Sequence, residues 1–468
     1  MELYKMTASE AVEAVKGKKI KARELTEAVL ARVNDTDDQI KAFVTVTAEK
    51  ALAQADVIDQ NISAHDDCPP LAGVPIALKD NLCLEGVPAA AGSRSIASFP
   101  APYSAAVVEK SVKAGGVIVG KTNMDEFGMD GMAETSPYPA SRNPWDLKRS
   151  AGDGSAAAVA SGQAMLGLAS DSGGSARISA SYCGVAGFRP TPGLISRYGL
   201  ISAASSMSQP GFIAKSAADF NLIIDPLYGF DPRDSSTIFA REQALKTEGQ
   251  VTRIGLPEHI FDEAKDLPEA VIDEIRNKIS SLGPEIVEVS LPHFATALLA
   301  YYIIVIAESF SNLSRYDGIR YGYSVEDDNL EEWYQQTRDQ GIGEEAKRRS
   351  ILGAYLLNKD NFEKYYEQAL RVWSLTKEDF TEALHRCDLI VLPVACSQAP
   401  LLGEKRSFTG NYQRDEFCAP VSMAGLPSVS IPALEIEGMP LGIQLVGAPF
   451  ADRMLIKFAA VMEQEISI

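Results

Sequence analysis

Apolar positions change their spacing several times along the chain, and each change marks a different kind of element. From Thr7 to Asn61 they recur at helical intervals, with Thr7 and Glu10 forming a capping signature ahead of AVEAV. Two or three helices are expected over residues 1–62. After the DDCPP break, apolar residues gather into short runs (GVPIALKD, GGVIVGKT, AMLGLASD, AGFRP) separated by helical stretches. Runs without alternation suit strands covered on both faces, so residues 63–251 read as an α/β core. From 252 to 388 charge rises and helical spacing returns, most clearly in DNFEKYYEQALRVWSLTKEDFTEALHR, which predicts a helical insertion or lobe. Residues 389–468 return to strand character in DLIVLPVA, and VSIPALEIEGMPLGIQLVG predicts a hairpin about its EG turn at the sheet edge. A helix is expected to close the chain.

Composition narrows the function classes. With 46% hydrophobic and 23% charged residues in 468, the chain is ordinary globular material that suffices for one large core. Its formal charge of -19 repels phosphate backbones, so any nucleic acid is expected to be held by a partner. No apolar run is read as membrane-spanning and the N-terminus lacks an apolar signal core, which predicts a cytoplasmic chain without membrane contact. The six cysteines (Cys68, Cys83, Cys183, Cys387, Cys396 and Cys418) form no CxxC pair, and the four histidines are scattered at 65, 259, 293 and 385. Reduced thiols and no metal site are expected.

Two motif matches mislead. GGVIVGKT, Gly115 to Thr122, fits a P-loop by letter, but Val117, Ile118 and Val119 have strong strand preference where a phosphate cradle needs a loop. Lys121 therefore reads as structural. SLTK, Ser374 to Lys377, matches SxxK inside an amphipathic helix, where chance matches are common, and no GxSxG elbow exists. ASDSGGSARISASYCG is different. Ser172, Gly173 and Gly174 are small enough for their backbone N–H groups to converge on one point, and Ser175 follows on the same turn. That composition suits an oxyanion hole beside a nucleophile, although a plain strand-to-helix turn has it too. Lys79 ends the apolar strand of GVPIALKDN, where a desolvated amine can serve as a base, or pair with Asp80. Serine activated by lysine is a known alternative to the histidine triad.

These segments, with GKTNMDEFGM, SRNPWDLKR, SRYGLISAASS, DPRDSS, RYDGIRYGY, KRRSILGAY and AGLPSVSIP in order, resemble the amidase-signature family, and within it the A-type subunits of glutamine-hydrolysing tRNA amidotransferases. The resemblance runs through nearly the whole chain. It implies an α/β/α sandwich around a large mixed β-sheet, Ser175 as nucleophile and Lys79 as base. It further implies that Arg349 grips a substrate α-carboxylate, that Asp415 accepts an α-ammonium and that Tyr302 makes a further contact, which suits glutamine or a related carboxamide. No cofactor is implied in this chain: ATP and Mg would belong to a partner, B- and C-type subunits would be the partners, and tRNA would be met only through them.

One loop departs from the family pattern. Where the family has an Arg followed by GGSSGGS, the chain reads RSAGDGSAAAVASG, three residues shorter, and Ala151 stands where the resemblance implies a bridging serine in a cis peptide. Ser150 or Ser155 could supply the relay, or Asp153 a carboxylate. Ile178, Ser179, Ser208 and Ser422 replace Gln, Pro, Asp and Asn of the family. Two functions follow: an amidase or glutaminase working through Ser175, and a catalytically weakened paralogue kept for binding or assembly.

Overall fold

The computed structural model describes residues 2–65, 68–129, 134–238, 249–263, 269–404 and 410–466; the first two residues of the expected DDCPP break lie outside them. Eleven strands form one sheet: β1 Phe43–Val46, β2 Pro75–Lys79, β3 Val117–Thr122, β4 Leu166–Asp171, β5 Ala186–Arg189, β6 Gln209–Ala214, β7 Arg253–Leu256, β8 Glu285–Glu288, β9 Leu389–Pro393, β10 Ser428–Ile436 and β11 Met439–Gly447. Their order is β1-β3-β2-β4-β6-β5-β10-β11-β9-β7-β8. Pairing is mixed: β3, β2 and β4 run parallel, as do β9, β7 and β8, and antiparallel ladders join the rest.

Alternation along the strands divides the interior into two cores. Ile76 and Leu78 of β2, Ile118 of β3, Leu166 and Leu168 of β4, and Phe212 and Ala214 of β6 enter the larger one. Ala77, Val117, Val119, Ala169 and Ile213, the residues between them, enter the other. A sheet whose successive residues are all apolar must be covered on both faces, which gives the α/β/α layering that the family resemblance implies. Ala77 and Ala169 leave room on the second face for a short helix, α4 (Gly154–Ala160), whose Ala156, Ala157 and Val159 join the same core. Parallel pairing of β2 with β4 (Leu78 beside Leu168) brings the C-terminal ends of both strands to one edge, where Lys79 and the Asp171–Ser175 turn sit. Open α/β sheets bind ligands at that edge.

Several elements differ from the sequence pattern. The N-terminal helices α1 (Ala8–Lys16), α2 (Ala22–Ile40) and α3 (Ala48–His65) form, the first with the Thr7/Glu10 capping box, but β1 lies between the second and third. β7 and β8 run inside the stretch read as helical, and pair into the far end of the sheet. The β10–β11 hairpin, expected at the edge, is interior, with β5 and β9 on its two sides. Its β11 is buried at every position, so it needs neighbours on both sides. The helix Phe294–Leu313 is long and apolar enough to cross a membrane by length and composition, contrary to the expectation; it is instead a core helix, burying Ala297, Ile304 and Val305 among its neighbours. Lys121 is structural: fully buried on β3, it pairs with Asp80 at 3.1 Å.

Gly154 shows how tightly α4 is seated. A Cβ there meets the backbone carbonyl of Ala42 and lies 2.8 Å from Asn123 N, atoms that cannot swing away. At Gly438, in the hairpin turn, nothing lies within 4 Å and only its positive φ of +79° resists a side chain. Gly154→Ala is expected to cost about 3 kcal/mol or more by overpacking, and Gly438→Ala roughly 1 kcal/mol from the left-handed backbone alone. Denaturant midpoints of the two variants check this; equal losses contradict it.

Candidate active site

The turn after β4 is fixed by a buried ion network. Asp171, the last residue of β4, is fully buried and accepts hydrogen bonds from Arg177 Nε and Nη2 (3.1 and 3.0 Å) and from Arg189 Nη1 (3.1 Å). Burial would raise its pKa, but the two guanidiniums outweigh burial and bring it down to about 2. Arg177 Nη1 also donates to Gln444 Oε1 on β11 at 2.8 Å, and its Nη2 to Ser422 Oγ at 2.8 Å. Ser422, one of the replaced family positions, is thus part of this network. Between Asp171 and Arg177 the chain turns sharply through Gly174 (φ +122°) and enters the helix α5 (Ser175–Tyr182) at Ser175.

The amide N–H groups of Ser172, Gly173 and Gly174 make no hydrogen bond among the described residues. Side chains are excluded at the two glycines: a Cβ on Gly173 meets the Tyr301 hydroxyl, and one on Gly174 meets Cys418 Cβ. The three donors and the N-terminus of α5 therefore remain open to a developing oxyanion. Cys418 behind them is no rival nucleophile, because burial pushes its thiol up to about 12. Ser175 is half-buried, and its hydroxyl donates to the Ser170 carbonyl at 2.7 Å. Asn81 Nδ2 donates to Ser170 Oγ at 3.0 Å, tying the end of β2 to the same turn.

Lys79 meets Asp153, not Asp80. Its Nζ lies 2.5 Å from Asp153 Oδ2, and both side chains are almost wholly buried. The opposite Asp153 oxygen, Oδ1, caps α4 by accepting from Ser155 N at 2.7 Å. Of the three side chains considered as substitutes for the bridging serine, the carboxylate is the one beside the lysine. Ser155 Oγ bonds Thr122 Oγ1 at 2.7 Å, and Ser150 Oγ accepts from Gly152 N at 2.9 Å. The peptide bonds through this loop are trans.

A pocket opens over Ser175. Ser172, Gly173, Ser175, Tyr301, Tyr302, Arg349, Arg414 and Asp415 face it, and Phe127, Gly128, Met129, Ala203, Ala204, Val305 and Ser208 complete the lining. The residues expected to bind substrate therefore share one cavity with Ser175, while Lys79 and Asp153 are not among its lining. Arg349 is held by Glu345 Oε1 at 2.8 Å and by the Met129 carbonyl, with its guanidinium 5.7 Å from the Tyr302 ring and 5.8 Å from that of Tyr412. Tyr302, kept protonated by burial and the Asp415 charge, donates to Asp415 Oδ2 at 2.6 Å. Ser208 shares a 2.6 Å hydrogen bond with Ser172. Sequence reasoning missed Tyr301, legible only as half of a YY pair, and Arg414, whose Nε and Nη2 reach Asp415 Oδ1 at 3.1 and 3.0 Å. Among the described residues no cluster of three or more His, Cys, Asp or Glu side chains fits a metal ion.

The family described as Amidase matches residues 24–456. The A subunit of the glutamyl-tRNA(Gln) amidotransferase of Moorella thermoacetica is 42% identical, over 99% of this chain and 97% of the relative. Its counterpart in Carboxydothermus hydrogenoformans is 41% identical, over 99% and 98%. The solved structure of the A subunit from Thermotoga maritima superposes with a TM-score of 0.79 at 30% identity, covering 99% of this chain and 95% of that one.

The Asp171 network predicts an acid limit to stability. A carboxyl held at about 2 when folded, against an ordinary 3.8, adds stability that is complete above about pH 4 and is lost as pH falls towards 2. Asp171→Asn leaves two buried guanidiniums without their anion and is expected to cost about 3–5 kcal/mol near neutral pH, with the gap to the parent narrowing below pH 4. Unfolding midpoints between pH 2 and 7 test this; a gap independent of pH contradicts it.

Proposed function

Because the chain belongs to the amidase family, we propose that it hydrolyses a carboxamide at Ser175, releasing ammonia from glutamine or a related amide, as the A-type subunit of a tRNA-dependent amidotransferase or a close paralogue. The observation that carries this reading is the shared cavity: Ser175, Ser172 and Gly173 of the preceding turn, and Arg349, Tyr302 and Asp415 face one space. In the proposed reaction Ser175 Oγ attacks the carboxamide carbon, and the N–H groups of Ser172, Gly173 and Gly174 stabilise the oxygen anion. The serine proton passes to the departing nitrogen, the C–N bond breaks and ammonia leaves an acyl ester on Ser175. Water then cleaves the ester and restores the hydroxyl.

The proton needs an acceptor, and the Ser170 carbonyl that now holds it is not a base. We assign that role to the Lys79–Asp153 pair, at the same sheet edge. Asp153 takes the third position that Ala151 vacates, and the pair holds the proton between attack and departure. Arg349 is the proposed partner for a substrate carboxylate. Partners of the B and C type would supply ATP-dependent chemistry, with Mg, and hold tRNA; the charge of -19 suits that division.

Residues acting as one unit lose activity together. Ser175→Ala, Lys79→Met and Asp153→Asn are each expected to lower kcat for ammonia release at least about a thousandfold, and the double variants to fall no further. Turnover that survives Asp153→Asn would remove Asp153 from the unit, and turnover that survives Ser175→Ala would end the amidase reading. The purified chain alone is expected to show no salt-sensitive binding of tRNA in filter or mobility-shift assays. Tight binding by the isolated chain would contradict the division of labour with a partner.

A further inference from the structure

Arg414 occupies the acceptor that the ammonium of an amino acid needs. Two of its nitrogens donate to Asp415 Oδ1, while Tyr302 donates to Oδ2. Arg414 and Asp415 are 8% and 7% exposed, and both face the cavity that contains Ser175. An ammonium arriving at Asp415 meets a carboxylate already neutralised by a guanidinium, and meets that guanidinium as well. Displacing Arg414 from Asp415 would break two charge-assisted hydrogen bonds to a buried carboxylate. The other cation facing the cavity is Arg349, whose own counter-ion, Glu345, is not part of the lining. The described side chains that face the cavity thus carry two positive charges and one negative.

We propose that the preferred substrates are carboxamides that carry a carboxylate and no free α-ammonium, such as the ω-monoamide of a dicarboxylic acid, over glutamine itself. An anion gains from both guanidiniums in a water-poor cavity, whereas the zwitterion sets its ammonium against Arg414. Arg414 is the residue that sets this specificity. The inference rests on the amide hydrolysis assigned to Ser175, and it concerns which amide that serine receives.

Glutaramate and glutamine differ by the α-amino group alone and are the pair to compare. Two measurements separate the inference from the reading beneath it. The first is kcat/KM for ammonia release from each amide, by the full chain and by Arg414→Gln. The parent is expected to favour glutaramate at least tenfold, and Arg414→Gln to reduce or reverse that ratio mainly by lowering KM for glutamine. The second is calorimetric binding of both amides to Ser175→Ala protein, which reports preference even without turnover; the same tenfold bias is expected. Equal or stronger binding of glutamine, or a ratio unchanged in Arg414→Gln, overturns the inference. If glutaramate binds preferentially but neither amide is cleaved by the parent chain, the specificity stands and the hydrolase reading falls.

Discussion

Everything at the site depends on keeping the Asp171 carboxylate charged without water. A bare carboxylate in this interior would take up a proton, and Arg177 and Arg189 prevent it by closing on both oxygens. That requirement locks the direction of the chain leaving β4 and of the helix that begins at Ser175. Arg177 then reaches Gln444, which in turn donates to the carbonyls of Pro393 and Phe417 at 2.9 Å each. One carboxylate thus joins the Ser175 turn to the C-terminal hairpin and to the segment carrying Asp415. Parts of the site that lie more than two hundred residues apart in sequence share a single rigid support.

Around that support the remaining charges come in pairs: Lys79 with Asp153, Lys121 with Asp80, Arg349 with Glu345, and Arg414 with Asp415. Each of these four cations has a carboxylate within hydrogen-bond reach, which fixes its place. The two pairs near the sheet edge have different tasks. Lys121–Asp80 is closed on itself, with the lysine also donating to the Asp80 carbonyl at 3.1 Å. Lys79–Asp153 joins the end of β2 to the start of α4, and a helix cap holds its carboxylate still.

Much of this was legible in the chain, for identifiable reasons. β2, β3, β4, β5 and β9 announce themselves as apolar runs because both of their faces are covered. β1 (FVTV) is too short to stand out between two helices, and β8 (EIVE) begins and ends in glutamates, so neither gave a strand pattern. The EG turn signalled a hairpin, but turn chemistry is local and says nothing of a hairpin's place in a sheet. Ser175, Arg349, Tyr302 and Asp415 were readable because distinctive segments carry them. The partner of Lys79 was not, since a contact across 74 positions depends on the path of the loop that leads into α4. Arg414 gave no signal at all: its consequence arises from which way it folds back on its neighbour.

The central claim is that Ser175 carries an acyl group during turnover. Rapid acid quenching of the enzyme with a slowly turned over carboxamide, followed by intact and peptide mass measurement, tests it most directly. The account predicts a mass increase equal to the acyl group, confined to the peptide containing Ser175 and absent from Ser175→Ala. Ammonia release with no covalent adduct, or an adduct on another residue, would contradict it.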